Sequence, residues 1–461
     1  MLIQFVVENF LSFRDKQILS MRAPEPGAAR IGAAFDQDKQ QTVRAGGEEI
    51  LRCAALYGAN ASGKSNLVRA LDFVRTLILE GTASNTPIAR RPFKLDPACS
   101  ARPSRFELIF VHDDVLYSYG FALDSERIHA EWLYRGPEDS DELLFRRELE
   151  PASDRYVFEV GDALASDPVR KQFYEFLHQG TRAHQLFLHE AQERNAPELA
   201  PPLQWLSSLC VLYPSTPQIA LAALVETDPD FRSFLAALLA RVDTGIGTID
   251  TRRVPLPHHD LARLMSGQSV RGGEGGGFEE IRLITSHGGG QDAVMFELDE
   301  ESSGTQRLMQ LARVLYRGEH GAGRLFVIDE LDRSLHPMLT RFFLQEFVRA
   351  GSAASPNQLI CTTHDTDLLD VDLLPPSSIW FVEKDREGSS RLYSLDELDE
   401  SQLAALRDET EDGYLAGRSG ALPFFGNRQR SVQDATRRDD DRLAHELLLQ
   451  SQRNAFPPRD G

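Results

Sequence analysis

Long apolar runs are missing from this chain. No stretch of about 18 apolar residues occurs, so no membrane-spanning helix is expected. Cysteine is scarce. Cys53, Cys99, Cys210 and Cys361 form no C-x-x-C pair and lie near no histidine at zinc spacing. That pattern excludes a disulfide framework and a cysteine-based zinc site, and it suits reduced thiols in a reducing compartment. The opening Met1-Leu2-Ile3-Gln4-Phe5 lacks a basic segment followed by an apolar one, so a cytoplasmic location is expected. Positive charge is in short supply: 50 Lys and Arg face 70 Asp and Glu, a net charge of -20. Coating nucleic acid needs clustered cations, so charge does not indicate nucleic acid as a partner. Short clusters such as Arg90-Arg91, Arg146-Arg147 and Arg252-Arg253 leave only a local groove open to it. Sustained heptads and fixed-period repeats are also absent.

With 41% hydrophobic residues, 461 residues can bury one large α/β domain with an insertion, or two domains. Alternation at the start (Ile3, Phe5, Val7, then Phe10, Phe13, Ile18, Leu19) suits a β-hairpin at a sheet edge. Residues 24–48 read as a loop and 50–57 as one short apolar strand. Leu67, Ala70, Leu71, Val74 and Ile78 stand at helical spacing after it. Between 93 and 160, runs at 106–111, 115–121, 132–134 and 143–147 suit an antiparallel meander. Residues 166–240 are helical by period, and further strands are expected at 279–285 and 294–298, with a helix at 304–317. Strand, helix, strand follow at 325–329, 338–350 and 358–363, then two strands at 379–383 and 390–394. The reading is α/β. Its expected parts are an N-terminal lobe (1–160), a helical insertion (161–265), a C-terminal lobe (266–426) and a charged, helical tail (427–461).

Two motifs carry chemistry on their own terms. Gly58-Ala59-Asn60-Ala61-Ser62-Gly63-Lys64-Ser65, with Asn66 after it, matches G-x-x-x-x-G-K-[ST] between an apolar strand and a helix. Glycines let backbone N–H groups turn inward around phosphates, Lys64 reaches the β/γ-phosphates, and the Ser65 hydroxyl suits Mg²⁺. ATP and Mg²⁺ are the ligands this implies. Leu325-Phe-Val-Ile-Asp329-Glu330 is an apolar strand ending in two acids. Beside a phosphate loop, Asp329 can hold Mg²⁺ and Glu330 can polarise the attacking water. Ser302-Ser303-Gly304-Thr305, taken alone, reads as a helix N-cap.

The set resembles the ATPase heads of the ABC type found in the SMC, RecF and OLD (overcoming lysogenisation defect) group. Val7-Glu8-Asn9-Phe10-Leu11-Ser12-Phe13 is similar to that group's N-terminal NF-x-SF strand and turn. Ile328-Asp-Glu-Leu-Asp-Arg-Ser-Leu-His-Pro337, Thr362-Thr-His-Asp365 and Gly413-Tyr-Leu-Ala-Gly-Arg-Ser-Gly-Ala-Leu-Pro-Phe424 resemble the stand-alone prokaryotic AAA-domain ATPases, types fifteen and twenty-one. The resemblance implies a P-loop NTPase of ABC-ATPase head type, a mixed sheet with an antiparallel β subdomain and a helical insertion. It implies that 301–307 is the signature, with Ser302 or Ser303 as its serine and Gly304 beside it, acting on the other subunit's γ-phosphate. It also implies that His364 is a switch histidine and that Asp332 lies in a loop crossing to the partner. Homodimers or higher homo-oligomers with composite ATP sites follow. Members of that family occur in abortive-infection and phage-defence operons beside a Toprim-like or RloB-type effector, which implies a sensor or scaffold role for this chain.

There are departures. No glutamine of the Q-loop kind follows the P-loop helix; Pro92-Phe93-Lys94-Leu95-Asp96 stands in that region. The second signature glycine is Thr305. The long SMC coiled coil is absent, and Asp370-Val-Asp372 reads as a loop, not as part of a nuclease. An OLD-like nuclease or a RecF-like DNA-binding clamp are the rival readings.

Overall fold

The computed structural model describes residues 1–24, 41–83, 86–136, 141–216, 219–242, 244–256, 270–272, 278–288, 293–316, 324–350, 357–365, 368 and 373–398. The segments 413–424, 427–461 and 370–372 singled out above lie outside them.

The chain opens with β1 (Leu2–Glu8) and β2 (Gln17–Ser20), paired antiparallel as the hairpin expected at a sheet edge. Next come β3 (Thr42–Ala45) and β4 (Glu48–Leu51), a small hairpin that turns on Gly46 and Gly47, both at positive φ. Part of the expected 24–48 loop is therefore strand. Thr42–Ala45 is only four residues long, too short for the alternation of Val43 and Ala45 to announce it, and its partner across the glycine turn defines it. The run 50–57 also divides: Arg52 separates β4 from β5 (Cys53–Tyr57), which belongs to a different sheet.

After β5 comes α1 (Lys64–Leu79), then the meander β6 (Ser104–His112), β7 (Val115–Leu123), β8 (Ile128–Arg135), β9 (Glu142–Glu150) and β10 (Arg155–Val160). These join β1 and β2 in one seven-stranded antiparallel sheet, order β10-β9-β8-β7-β6-β1-β2. The helices α2 (Pro168–Gly180), α3 (Phe187–Glu193) and α4 (Ala200–Ser208) precede β11 (Cys210–Leu212). Then come α5 (Ile219–Thr227) and α6 (Pro229–Arg241). Asp167 and Asp228 cap α2 and α6, each followed by proline at the first helical position. The strands β12 (Ile246–Leu256), β13 (Val270–Gly272), β14 (Phe278–His287) and β15 (Val294–Glu297) form a third sheet. Segment 161–265, expected to be helical, thus also contributes β12 to this sheet and β11 to the central one. Three strand residues between helices give no period of their own; β11 exists because it pairs with the strand beside it.

The last elements are α7 (Ser303–Leu315), β16 (Leu325–Ile328), α8 (Pro337–Arg349), β17 (Gln358–Thr362), β18 (Ile379–Lys384) and β19 (Ser390–Ser394). The central sheet runs β11-β16-β17-β5-β18-β19, parallel except for β19. Strand alternation splits its two faces between two cores. Ala54, Leu56, Leu325, Val327, Trp380 and Val382 pack with α1 and the antiparallel sheet. Cys53, Ala55, Tyr57, Phe326, Ile328 and Phe381 pack with α6, α7 and α8. Gln358, fully buried, ties the two sheets together: its amide nitrogen donates to Leu2 O (2.9 Å) and Leu51 O (3.0 Å). No described helix is long and apolar enough to cross a membrane.

Candidate functional site

The site forms where β5, β16 and β17 end side by side. Their parallel register brings the loop after β5, the acids after β16 and the Thr-Thr-His after β17 to one edge of the sheet. The β5 loop turns through Ala61 (φ 65°) and Gly63 (φ 121°). Asn60 and Ala61 stand exposed at its lip, while Ser62, Gly63 and Lys64 are buried. A side chain at Gly58 would overlap Val382 O; one at Gly63 would overlap the hydroxyls of Ser12 and Ser390. Both glycines are thus required by close approach as well as by the turn.

Lys64 starts α1 and is 5% exposed. Its ammonium donates to Gly58 O and to Ala59 O (3.1 Å), and lies 3.4 Å from His364 Nδ1. Burial pushes its pKa down to about 8, against the opposing pull of Asp332, Asp329 and Glu330. Burial, then Lys64, lowers the His364 pKa. Both causes favour the neutral imidazole. The His364 backbone N–H donates to the Asp332 carboxylate (3.3 and 3.4 Å).

Ser65 Oγ donates to Asp329 Oδ1 at 2.9 Å, and Thr362 Oγ1 donates to the same oxygen at 2.7 Å. The Thr362 hydroxyl also accepts from Glu330 N (2.8 Å). Glu330 itself sits at φ 49°, a left-handed conformation rare for this residue type, and its carboxylate pairs with Arg333 at 2.9 Å. Two contact groups thus meet within one subunit: Lys64, His364 and Asp332 in one, and Ser65, Asp329, Thr362 and Glu330 in the other.

Ser302 caps α7 by accepting from Thr305 N (3.1 Å), and Ser303 is the first helical residue. Both are exposed. A side chain at Gly304 would come 2.9 Å from Ser334 O, so the start of α7 and the 331–337 loop touch.

Sequence reasoning gave no role at the site to several contributors. Arg307 on α7 is buried and donates to Asp329 O (3.2 Å) and Glu330 O (2.9 Å). Burial lowers its pKa to about 10. A cation beside Leu308, Met309, Leu311 and Ala312 on a buried helix was the available signal. Ser12 Oγ accepts from Asn66 (2.8 Å), and Ser390 Oγ donates to Ser62 O (2.5 Å), so the N-terminal turn and β19 brace the loop from behind. Asn9 holds the 99–103 segment through Cys99 O and Arg102 O (2.8 Å each) and accepts from Phe93 N (3.2 Å). That places the Pro92–Asp96 stretch against the N-terminal turn.

A family profile described as "AAA domain, putative AbiEii toxin, Type IV TA system" matches residues 53–370. No curated protein matches. Among solved structures, the chain is similar in fold to an Smc head bound to the C-winged helix domain of ScpA, at 14% identity and TM-score 0.39, over 86% of this chain and 97% of that one. It is also similar to the SMC head domain from Thermotoga maritima (14%, TM-score 0.37, 85% and 98%). The Pyrococcus furiosus Smc head with an extended coiled coil, bound to the C-terminal domain of ScpA, gives 12%, TM-score 0.36, 89% and 99%. The fold is α/β, with a mostly parallel central sheet whose β5 leads through the glycine-rich loop into α1. The matched stretch takes in the phosphate loop, the acids after β16 and the Thr-Thr-His after β17, and the chain belongs to this family of AAA-domain ATPases.

Proposed function

We propose that this chain binds ATP with Mg²⁺ and hydrolyses it at sites shared between two copies, and that this cycle controls a separate effector protein. The observation that carries the reading is a pair of contact sets at one sheet edge, Lys64 with His364 and Ser65 with Asp329, Thr362 and Glu330, joined through the adjacent Lys64 and Ser65. There the amides of Gly58 to Asn66 and the N-terminus of α1 take the phosphates, with Lys64 on the β- and γ-phosphates. Ser65 and Asp329 would hold Mg²⁺. Their donor set fits: one hydroxyl and one carboxylate already in contact, with no cluster of three His, Cys, Asp or Glu among the described residues. Mg²⁺ favours such a site, sparse in protein ligands and completed by phosphate oxygens and water. Bound there, it would neutralise charge developing on the phosphates. Glu330 takes the proton of the attacking water, and His364, neutral, donates toward the γ-phosphate. Ser303, exposed at the start of α7, and the half-buried Gly304 beside it serve the partner's nucleotide, and Asp332 fixes the loop that crosses between subunits.

The defence role rests on the family resemblance and on a complete ATPase site without a second catalytic cluster in the sequence. Three measurements on the pure chain test the reading. Phosphate release in Mg²⁺ should be lost in Lys64→Ala, because no other cation of the loop replaces that charge; equal ATP affinity in the two proteins would sink the assignment. Metal-dependent nuclease activity of the chain alone would replace the effector reading with the OLD-like one. Copurification with the product of a neighbouring gene, sensitive to ATP, is the expected positive result.

A further inference from the structure

The seven-stranded sheet ends on β10, and among the described residues nothing pairs with its outer edge. Gly161 N donates to Leu144 O on the β9 side. Polar backbone groups alternate along an antiparallel strand, so the N–H and C=O of Tyr156 and Phe158 point away from β9. An open edge of this kind is a template for another strand, and proteins usually guard it with proline, lysine, a bulge or an inward charge. β10 reads Arg-Tyr-Val-Phe-Glu-Val, with neither Pro nor Lys, and pairs with β9 without a register shift.

One face of β10 is occupied. Phe158 stacks on His178 and packs on Phe187, and Tyr156 lies under Arg147. The other face presents Arg155, Val157 and Glu159 to solvent, and Val157 is 58% exposed. α2 packs on β10 and leaves Val169 and Phe176, seven residues apart on one stripe, 76% and 74% exposed.

We propose that β10 pairs antiparallel with β10 of a second copy of this chain, about a two-fold axis through Val157. The strand is self-complementary in that register. Arg155 falls opposite the partner subunit's Glu159, Val157 opposite its own copy, and Tyr156 opposite the partner subunit's Phe158. The outward backbone groups of Tyr156 and Phe158 then form the hydrogen-bonded pairs, and Val157 is a non-hydrogen-bonded pair, where side chains approach most closely. Charge selects this arrangement: parallel pairing in register sets Arg155 against Arg155 and Glu159 against Glu159. Arg155 has no ion-pair partner among the described residues, whereas Glu159 holds Arg146 at 2.9 Å on its own sheet. The axis stands perpendicular to the sheet, so both α2 helices lie on one face of a continuous fourteen-stranded sheet, twice the seven strands of each copy. This interface needs no nucleotide. Combined with a two-fold ATP interface it would build assemblies larger than a dimer.

Cysteine pairing tests the register directly. Val157→Cys should form a disulfide-linked dimer on mild oxidation without ATP, since opposed Cα atoms in such a pair lie within disulfide reach. Arg155→Cys alone should not, because its copy lies four residues along, roughly 13 Å away. A mixture of Arg155→Cys and Glu159→Cys chains should link. In sedimentation, wild-type chain without nucleotide should run as a dimer and Val157→Lys as a monomer with an unchanged circular-dichroism spectrum. Failure of Val157→Cys to link, equal linking of Arg155→Cys by itself, or a nucleotide-free wild type that stays monomeric at micromolar concentration would each overturn the proposal. None of these outcomes bears on the ATP site, which Lys64→Ala tests separately.

Discussion

Replacing Thr362 by valine should damage the site from a position that need not touch nucleotide. Its hydroxyl donates to Asp329 Oδ1 (2.7 Å) and accepts from Glu330 N (2.8 Å), and the residue is 1% exposed. Valine fills the same volume, so no cavity forms, but two polar groups lose a partner. Asp329 keeps Ser65 as a donor (2.9 Å); Glu330 N keeps nothing equivalent. A hydrogen bond to a charged group contributes about 1.5–3 kcal/mol, and an orphaned buried donor costs about 1–3 kcal/mol. The two terms share one site and do not simply add, so the expected loss is about 2–4 kcal/mol. Scanning calorimetry should register it as a fall in melting temperature of several degrees. Turnover should fall further, roughly 10²-fold, because Glu330 loses the bond that fixes its backbone and a small displacement of a catalytic group is expensive. Thr362→Ser should recover both. If Thr362→Val melts with the wild type and hydrolyses ATP within about twofold of it, the hydroxyl does not organise these acids and the reasoning fails.

Other expectations concern the same network. In EDTA, ATP affinity should fall above pH 8, approaching about tenfold per pH unit. The ATP-free Lys64 pKa lies near 8, so binding must take up a proton above it. Lys64→Arg should flatten the profile, and calorimetry in buffers of different ionisation heat reads the proton directly. The stability contribution of Lys64 has the opposite sign: the unfolded chain holds that proton longer, so the ATP-free fold gains stability as pH rises from 8 toward the ordinary lysine value. Glu330→Gln should keep ATP bound, stop turnover by about 10²–10⁴-fold, and accumulate an ATP-bound oligomer visible by light scattering. Ser303→Arg should kill hydrolysis yet leave ATP binding in place; mixing it with Lys64→Ala should restore some activity, because a mixed dimer rebuilds one intact site. Mixtures that stay inactive while wild-type chains exchange freely would argue against shared sites.

Local chemistry made the phosphate loop legible: glycines, lysine and serine at fixed offsets need no distant partner to be recognised. The strand before Asp329 was legible for a related reason, four apolar residues ending in two acids. What escaped depends on contacts distant in sequence. β11 is three residues long and exists through its pairing with β16; its neighbours on both sides are helical, and their period hides it. β10 does alternate, yet half its side chains face solvent, so its signal was weak against the fuller strands before it. Arg307 looked like an ordinary helix residue after a cap. Only the fold places its guanidinium on the carbonyls of Asp329 and Glu330. Asn9 and Ser12 were noticed through resemblance alone, whereas contact explains them: a buried amide holding a loop and a hydroxyl meeting Asn66 on α1.

Those long-range contacts bear on how the site reaches its geometry. A left-handed backbone at a residue such as Glu330 costs roughly 1–3 kcal/mol and persists only where its surroundings over-determine it. Here its amide is held by Thr362 and its carbonyl by Arg307, while its carboxylate is paired with Arg333. Thr362 is the last residue of β17, two positions before His364, and Arg307 lies one turn into the helix that begins at Ser303. The backbone of the acid after β16 is thus clamped between the end of β17 and the first turns of α7. A rigid turn of helix separates Ser303 from Arg307. The Arg307 guanidinium donates to both carbonyls, so a shift of α7 that moved it would break the bonds that hold Asp329 and Glu330.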